Sequence, residues 1–359
     1  MARLATSSSS VDPALVAADD ARFEACLAQV RALAPGDAEG VFGPGSLHWM
    51  IFREPLVVLG GIRAIALQVA HPRIATGVSE NSNFRNDVLG RARRTFAAMY
   101  EMVFGDVDEA VHAARRVYRL HQRIHGVVGP AAGAADGQPY RAMDPELLHW
   151  VLATCVDTVS TVFDLFVRPL TLGERETFYQ ESMRFGLLFG LPVEARPQTW
   201  LEFRGWMDSM VDGGPLHVGP LARELAGDLF NSPYTRGPLD ELLTAGLLAP
   251  HYREAFGLRW GPREERLFRG LVTGLRATHR VVPENARFVV AWHQAVHRVN
   301  AAQGRPSSLY ARLINRVDTA VSLPFSIRPV AINAVGDDLP RTPRAADGRR
   351  LGPAARRDT

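Results

Sequence analysis

From about residue 20 to residue 318, apolar side chains recur at three- and four-residue intervals with few interruptions, and the alternation of a half-buried strand is scarce. That period restricts the chain to helices packed on helices. It predicts helices over 20–34, 46–70, 91–104, 107–125, 145–168, 172–188, 197–212, 216–230, 239–248, 262–280, 285–301 and 308–318. Asp144-Pro145-Glu146 marks a helix start, with an N-cap followed by proline at the first helical position. His71-Pro72 and Gly105-Asp106 read as stops, and the Gly/Pro-rich run 126–143 as a loop or short hairpin. Neither an internal repeat nor a central linker is evident. The expected architecture is all-α: a single compact multi-helix domain over 21–330, between a disordered N-terminal tail (1–20) and a disordered C-terminal tail (335–359).

Composition then removes function classes. All 41 basic residues are arginine, the net charge is only +3, and the arginines are dispersed, so nucleic acid is not an expected partner. Each cationic contact is therefore a planar guanidinium fork suited to carboxylates. The two cysteines, Cys26 and Cys155, suggest neither a disulfide framework nor a thiolate metal site. The first 25 residues lack the apolar core of a secretory signal, and the most apolar stretch, 47–70, is broken by Arg53, Glu54 and Arg63. A soluble, cytoplasmic protein without a transmembrane segment is expected; the oligomeric state is not legible.

Chemistry enters with "RRVYRLHQRIHG" (115–126). On a helix over 107–125, Val107, Ala110, Val111, Ala114, Val117, Tyr118, His121 and His125 share one face, so both histidines point toward the core. A buried imidazole needs a partner, since an unpaired polar group costs about 1–3 kcal/mol. Protein groups, a bare metal and haem iron are the candidates. Two Glu-x-x-His runs, Glu109 to His112 and Glu146 to His149, have the form of a di-iron site. Their periodicity argues otherwise, because Glu109, His112 and Glu146 lie opposite the apolar stripes. Haem needs one neutral imidazole on a rigid helix, an apolar slot and cations for two propionates. His121 supplies the first, Leu, Val and Phe surfaces the second, and Arg91 and Arg94 of "GRARRT" (90–95) the third. His71 reads as a cap for the carbonyls of the preceding helix, and His293 and His297 as core or surface residues. "LGGIRA" (59–64) is no dinucleotide loop, for it lacks the glycine pattern and follows no strand.

The run "EPLVVLGGIRAIALQVAHPRIATGVSENSNFRNDVLGRARRTFAAMYEMVFG" (54–105), then "RRVYRLHQRIHG" and "YRAMDPELLHWVLATCVDT", resembles the conserved block of the oxygenase MpaB-like family, which includes latex-clearing protein, the haem-dependent rubber oxygenase. The pieces 169–181, 189–203 and 242–260 fit as well, so the resemblance covers roughly 45–300. It implies an all-α haem b enzyme with its pocket enclosed by helices. The run Arg119-Leu120-His121 matches the family's iron-binding histidine, which makes His121 the metal ligand. The distal Arg-x-x-Lys-Thr run matches Arg91, Arg94 and Thr95. A threonine in the family's haem contacts matches Thr154. The resemblance thus implies Arg91 and Thr95 as catalytic, and His121, Arg91, Arg94, Thr154 and His125 as cofactor-binding. Two departures stand out. The family's distal lysine is Arg94 here, and a guanidinium stays protonated and makes a poor iron ligand. The distal glutamate has no counterpart near 71–80 other than Glu80. The expected activity is haem b-dependent oxygenation, by dioxygen, of a small apolar organic substrate, with C=C cleavage as the reaction the resemblance implies. The alternative is a haem or apolar-ligand binding protein without turnover.

Overall fold

The computed structural model describes residues 11–81, 88–230 and 237–321. The described residues form sixteen α-helices and one two-stranded hairpin. The N-terminal third holds α1 (Pro13–Leu33), α2 (Leu47–Phe52), α3 (Gly61–Val69), α4 (Pro72–Asn81), α5 (Val88–Phe104) and α6 (Val107–His121). The hairpin follows, β1 (His125–Val127) pairing antiparallel with β2 (Pro139–Arg141), His125 opposite Arg141. The middle holds α7 (Pro145–Phe166), α8 (Leu172–Leu187), α9 (Trp200–Gly213), α10 (Pro220–Phe230), α11 (Pro238–Leu247) and α12 (Pro250–Ala255). The C-terminal part holds α13 (Pro262–Val281), α14 (Glu284–Arg287), α15 (Val290–Ala302) and α16 (Leu309–Val321).

The all-α expectation holds. The centre of the fold is α7, buried on nearly every side from Leu147 to Phe166, as a helix apolar all round must be. It packs against α3, α8 and α13. Its Trp150 donates from the indole to the Leu67 carbonyl of α3 (3.1 Å), and its Asp157 accepts from Arg63 of α3 (2.6 Å) and from Arg204 of α9. Residues 55–60 form a 3₁₀ turn pressed on the same helix: a Cβ on Gly60 would stand 2.7 Å from Val162 Cγ2, so α7 passes too close for any side chain there.

Several boundaries differ from the periodicity. The expected helix 46–70 is cut by Pro55, which lacks an N–H and disfavours helical backbone at Glu54; α2 ends, the 3₁₀ turn intervenes, and α3 begins at Gly61. His71-Pro72 stops α3, as expected, but also starts α4, whose Ile74 and Ala75 amides bond to the His71 carbonyl. The stretch 285–301 divides into α14 and α15 because Phe288 is extended. The expected disordered tail is corrected from residue 13 onward: Asp12 caps α1 and Pro13 opens it, and the helix carries Asp19 and Asp20 into contacts with Arg141, Tyr118 and Gln122. Residues 1–10 and 335–359 lie outside the described residues. Among the described residues no single helix is long and apolar enough to cross a membrane.

Candidate functional site

The site is built on the α5–α6 pair. Gly105 lets α5 turn sharply, its amide bonding to the Glu101 carbonyl (2.9 Å). Asp106 then starts α6 with a capping box: its carboxylate accepts from the Glu109 amide (2.8 Å), and Glu109 accepts from the Asp106 amide (2.8 Å). The two helices run back on each other, and the buried Glu101 of α5 binds Arg116 of α6 in a two-pronged ion pair. This connection brings the start of α5, with Arg91, Arg94 and Thr95, beside the end of α6, with His121.

His121 is the last residue of α6 and keeps part of its surface accessible. Burial first, and the nearby Arg91 guanidinium second, push its pKa down to about 4, so the ring is neutral at pH 7. Among the described residues neither of its ring nitrogens has a protein hydrogen-bond partner. Arg91 is itself enclosed: desolvation, then the neighbouring Arg94, lower its pKa. Arg94 is half-buried rather than solvated, and Thr95, one turn from Arg91 on the same face of α5, is exposed. The α5–α6 pair and the residue after it carry half-buried apolar side chains, Phe96 and Met99 of α5, Val117 of α6, and Ile124, and Ile62 and Ile65 of α3 are half-buried as well.

Thr154 lies apart from this pair in its contacts. It is fully buried, donates to the Val151 carbonyl (2.8 Å) and accepts from Gln68 Nε2 (3.0 Å). Its hydroxyl orients Gln68 of α3, which also reaches Cys155 Sγ at 3.7 Å. His125 does not share a helical face with His121: α6 ends at His121, the amides of Gln122, Arg123 and Ile124 close its last turn, and His125 opens β1. His121 and His125 still line one small cavity of about 20 Å³ between α1, the end of α6 and the hairpin.

His71 is more than the cap its sequence position suggests. Its backbone closes α3, the amide bonding to the Gln68 carbonyl (3.1 Å), while its ring is 3% exposed with both nitrogens unpartnered. Burial, then Arg73, bring its pKa to about 4. The adjacent proline is the only sequence signal, and it speaks to the backbone alone.

A bare metal has no ligand set: among the described residues no three His, Cys, Asp or Glu side chains cluster for one. Glu109 is spent on the capping box and on Arg298 (3.4 Å), Glu146 on Arg73, and His149 stacks on Trp206 at 4.1 Å. His293 packs against Trp292 and Tyr310, and His297 Nδ1 meets Ser307 Oγ at 2.6 Å.

A family model described as "ER-bound oxygenase mpaB/B'/Rubber oxygenase, catalytic domain" matches residues 49–277, a span that holds Arg91, Arg94, Thr95, His121, His125 and Thr154. The chain belongs to this MpaB/rubber oxygenase family. Membership supports an oxygenase-type function. Two curated relatives, uncharacterised proteins of Mycobacterium bovis and Mycobacterium tuberculosis, are each 25% identical over 232 residues, 62% of this chain and 88% of theirs. No solved structure matches the chain significantly. At the α5–α6 pair the fold sets a neutral imidazole near the Arg91 guanidinium, with Arg94 one turn on, groups of the kinds that a haem iron and its carboxylates would take, while the cavity His121 lines holds only about 20 Å³.

Proposed function

We propose that this member of the MpaB/rubber oxygenase family is a haem b-dependent oxygenase of a small apolar organic substrate, with His121 as the iron ligand. The observation that carries the proposal is the His121 ring: neutral, partly accessible and, among the described residues, without a protein hydrogen-bond partner. Neutral imidazole is the ligating form, and a terminal helical position holds it rigid. Haem b, when bound, supplies the dioxygen chemistry. The protein's part is to hold, orient and exclude water. The cavity of about 20 Å³ on one side of His121 suits water.

Arg91 and Arg94 would bind the two carboxylates, each charge-assisted bond contributing about 1.5–3 kcal/mol. Thr95, accessible one turn from Arg91, would supply a hydroxyl donor beside the site. Arg94 stays protonated and would not take the family lysine's place as an iron ligand. Thr154 acts by holding Gln68. The half-buried Ile62, Ile65, Phe96 and Met99 would contact an apolar substrate, and C=C cleavage is the reaction that the family resemblance implies.

Oxygen uptake by the haem-loaded protein, over a panel of unsaturated fatty acids and terpenoids, tests this. Uptake with at least one alkene, accompanied by carbonyl products and lost in His121→Ala, is expected. Full haem loading without uptake on any substrate would favour the binding-protein alternative.

A further inference from the structure

The His121 ring has a second nitrogen, and the cavity it lines identifies what that nitrogen meets. Asp19 of α1, Arg141 of β2 and His121 all border this space. Asp19 is only 6% exposed, and its carboxylate accepts from Arg22 Nη2 (2.8 Å) and Arg141 Nη2 (2.7 Å). A carboxylate has about four acceptor sites, so capacity remains. The other terminal nitrogen of Arg141, Nη1, is buried and has no partner. A volume of about 20 Å³ accommodates one water, which needs two to four polar partners. Two unsatisfied donors, Arg141 Nη1 and a His121 ring N–H, and one acceptor with spare lone pairs, Asp19, meet that requirement.

We infer that a water in this cavity links the His121 imidazole to the Asp19 carboxylate, making Asp19 a positioning residue for His121. The water accepts from Arg141 Nη1 and from the His121 N–H and donates to Asp19. The bond fixes which ring nitrogen carries the proton, leaves the other as the ligating atom, and raises its basicity. α1, which carries Asp19, lies outside the family span of 49–277. The effect on an iron ligand rests on the haem reading above; the water link itself does not.

Two measurements keep these apart. A high-resolution crystal structure of the haem-free protein is expected to show a water within hydrogen-bond distance of Arg141 Nη1, the Asp19 carboxylate and the His121 ring. An empty cavity, or a His121 ring bonded to a protein acceptor, overturns the link whether or not haem binds. In the ferrous haem-loaded protein, the iron–histidine stretch in resonance Raman is expected to move to lower frequency in Asp19→Asn. It should move likewise in Val16→Leu, which fills the cavity without touching the carboxylate, and stay put in Glu24→Gln, an exposed control on the same helix. A frequency unmoved in both cavity variants overturns the positioning role. Absence of haem from the wild-type protein overturns the functional reading instead, and the crystallographic result still decides the water.

Discussion

An imidazole removed from water normally finds a donor or acceptor, and among the described residues both nitrogens of the buried His71 ring find none. For His71 the consequence is a standing desolvation cost of about 1–3 kcal/mol. His71→Leu is therefore expected to leave the haem-free protein as stable as wild type, or about 1–2 kcal/mol more stable, in urea denaturation at pH 7. A loss above ~2 kcal/mol would show that the ring had a protein partner after all. For Arg91 the expectation runs through ligand binding. Arg91→Ala should weaken haem affinity on the order of 10- to 100-fold, from the loss of one charge-assisted bond, as read by titration of the haem-free protein. The helical period and the family resemblance both single out His121, whereas Arg91 is singled out by its charge at a helix start and by the resemblance. The resemblance also singles out Thr154, but its contact with Gln68 of α3 is not legible, because it joins two helices distant in the chain. Nor can the sequence tell a capping His71 from an unpartnered one, because the ring's surroundings come from elements distant in the chain.

Helices with a chemical start are legible to within a residue or two: α7 behind Asp144-Pro145 and α6 behind Asp106. Apart from the break at Pro55, the differences fall where no glycine or proline marks the stop, after His121 and at Phe288. Nothing between His121 and His125 marks the stop; strand pairing with β2 takes the chain over, and the periodic face continues on paper past the real helix. Pro72 reads as a terminator, although the same residue type favours the first turn of the next helix. The α5–α6 pair depends on the buried Glu101–Arg116 bridge. Glu101→Gln should cost about 3–5 kcal/mol, because it strands a buried guanidinium. Adding Arg116→Leu to Glu101→Gln should recover part of that loss in a double-mutant cycle. A double-variant loss equal to the sum of the two single losses would show that the two groups act independently. At the other side of the core, Gly60→Ala must push Val162 and Thr158 aside and is expected to cost about 1–3 kcal/mol, seen as a lower thermal midpoint.

At the scale of the whole molecule, neutral histidines set the acid limit of the haem-free protein. His71, His121 and His149 all sit near pKa 4, each depressed mainly by burial, against 6.5 in the unfolded chain. Groups whose folded pKa is depressed protonate first in the unfolded state. The stability they support is present above pH 6.5 and is lost as pH falls from there toward 4. With the three titrating together, stability should fall by up to about 4 kcal/mol per pH unit in that window, before any carboxylate contributes. His71→Leu should remove roughly a third of the slope. A flat profile between pH 6.5 and 5 would contradict the burial of these rings.

The haem reading of His121 has a direct optical test. Purified protein, expressed with added haem precursor, is expected to show a Soret band that survives His125→Ala and is lost in His121→Ala. A wild-type protein without that band, or a His121→Ala protein that keeps it unchanged, would contradict the assignment of His121 as the iron ligand.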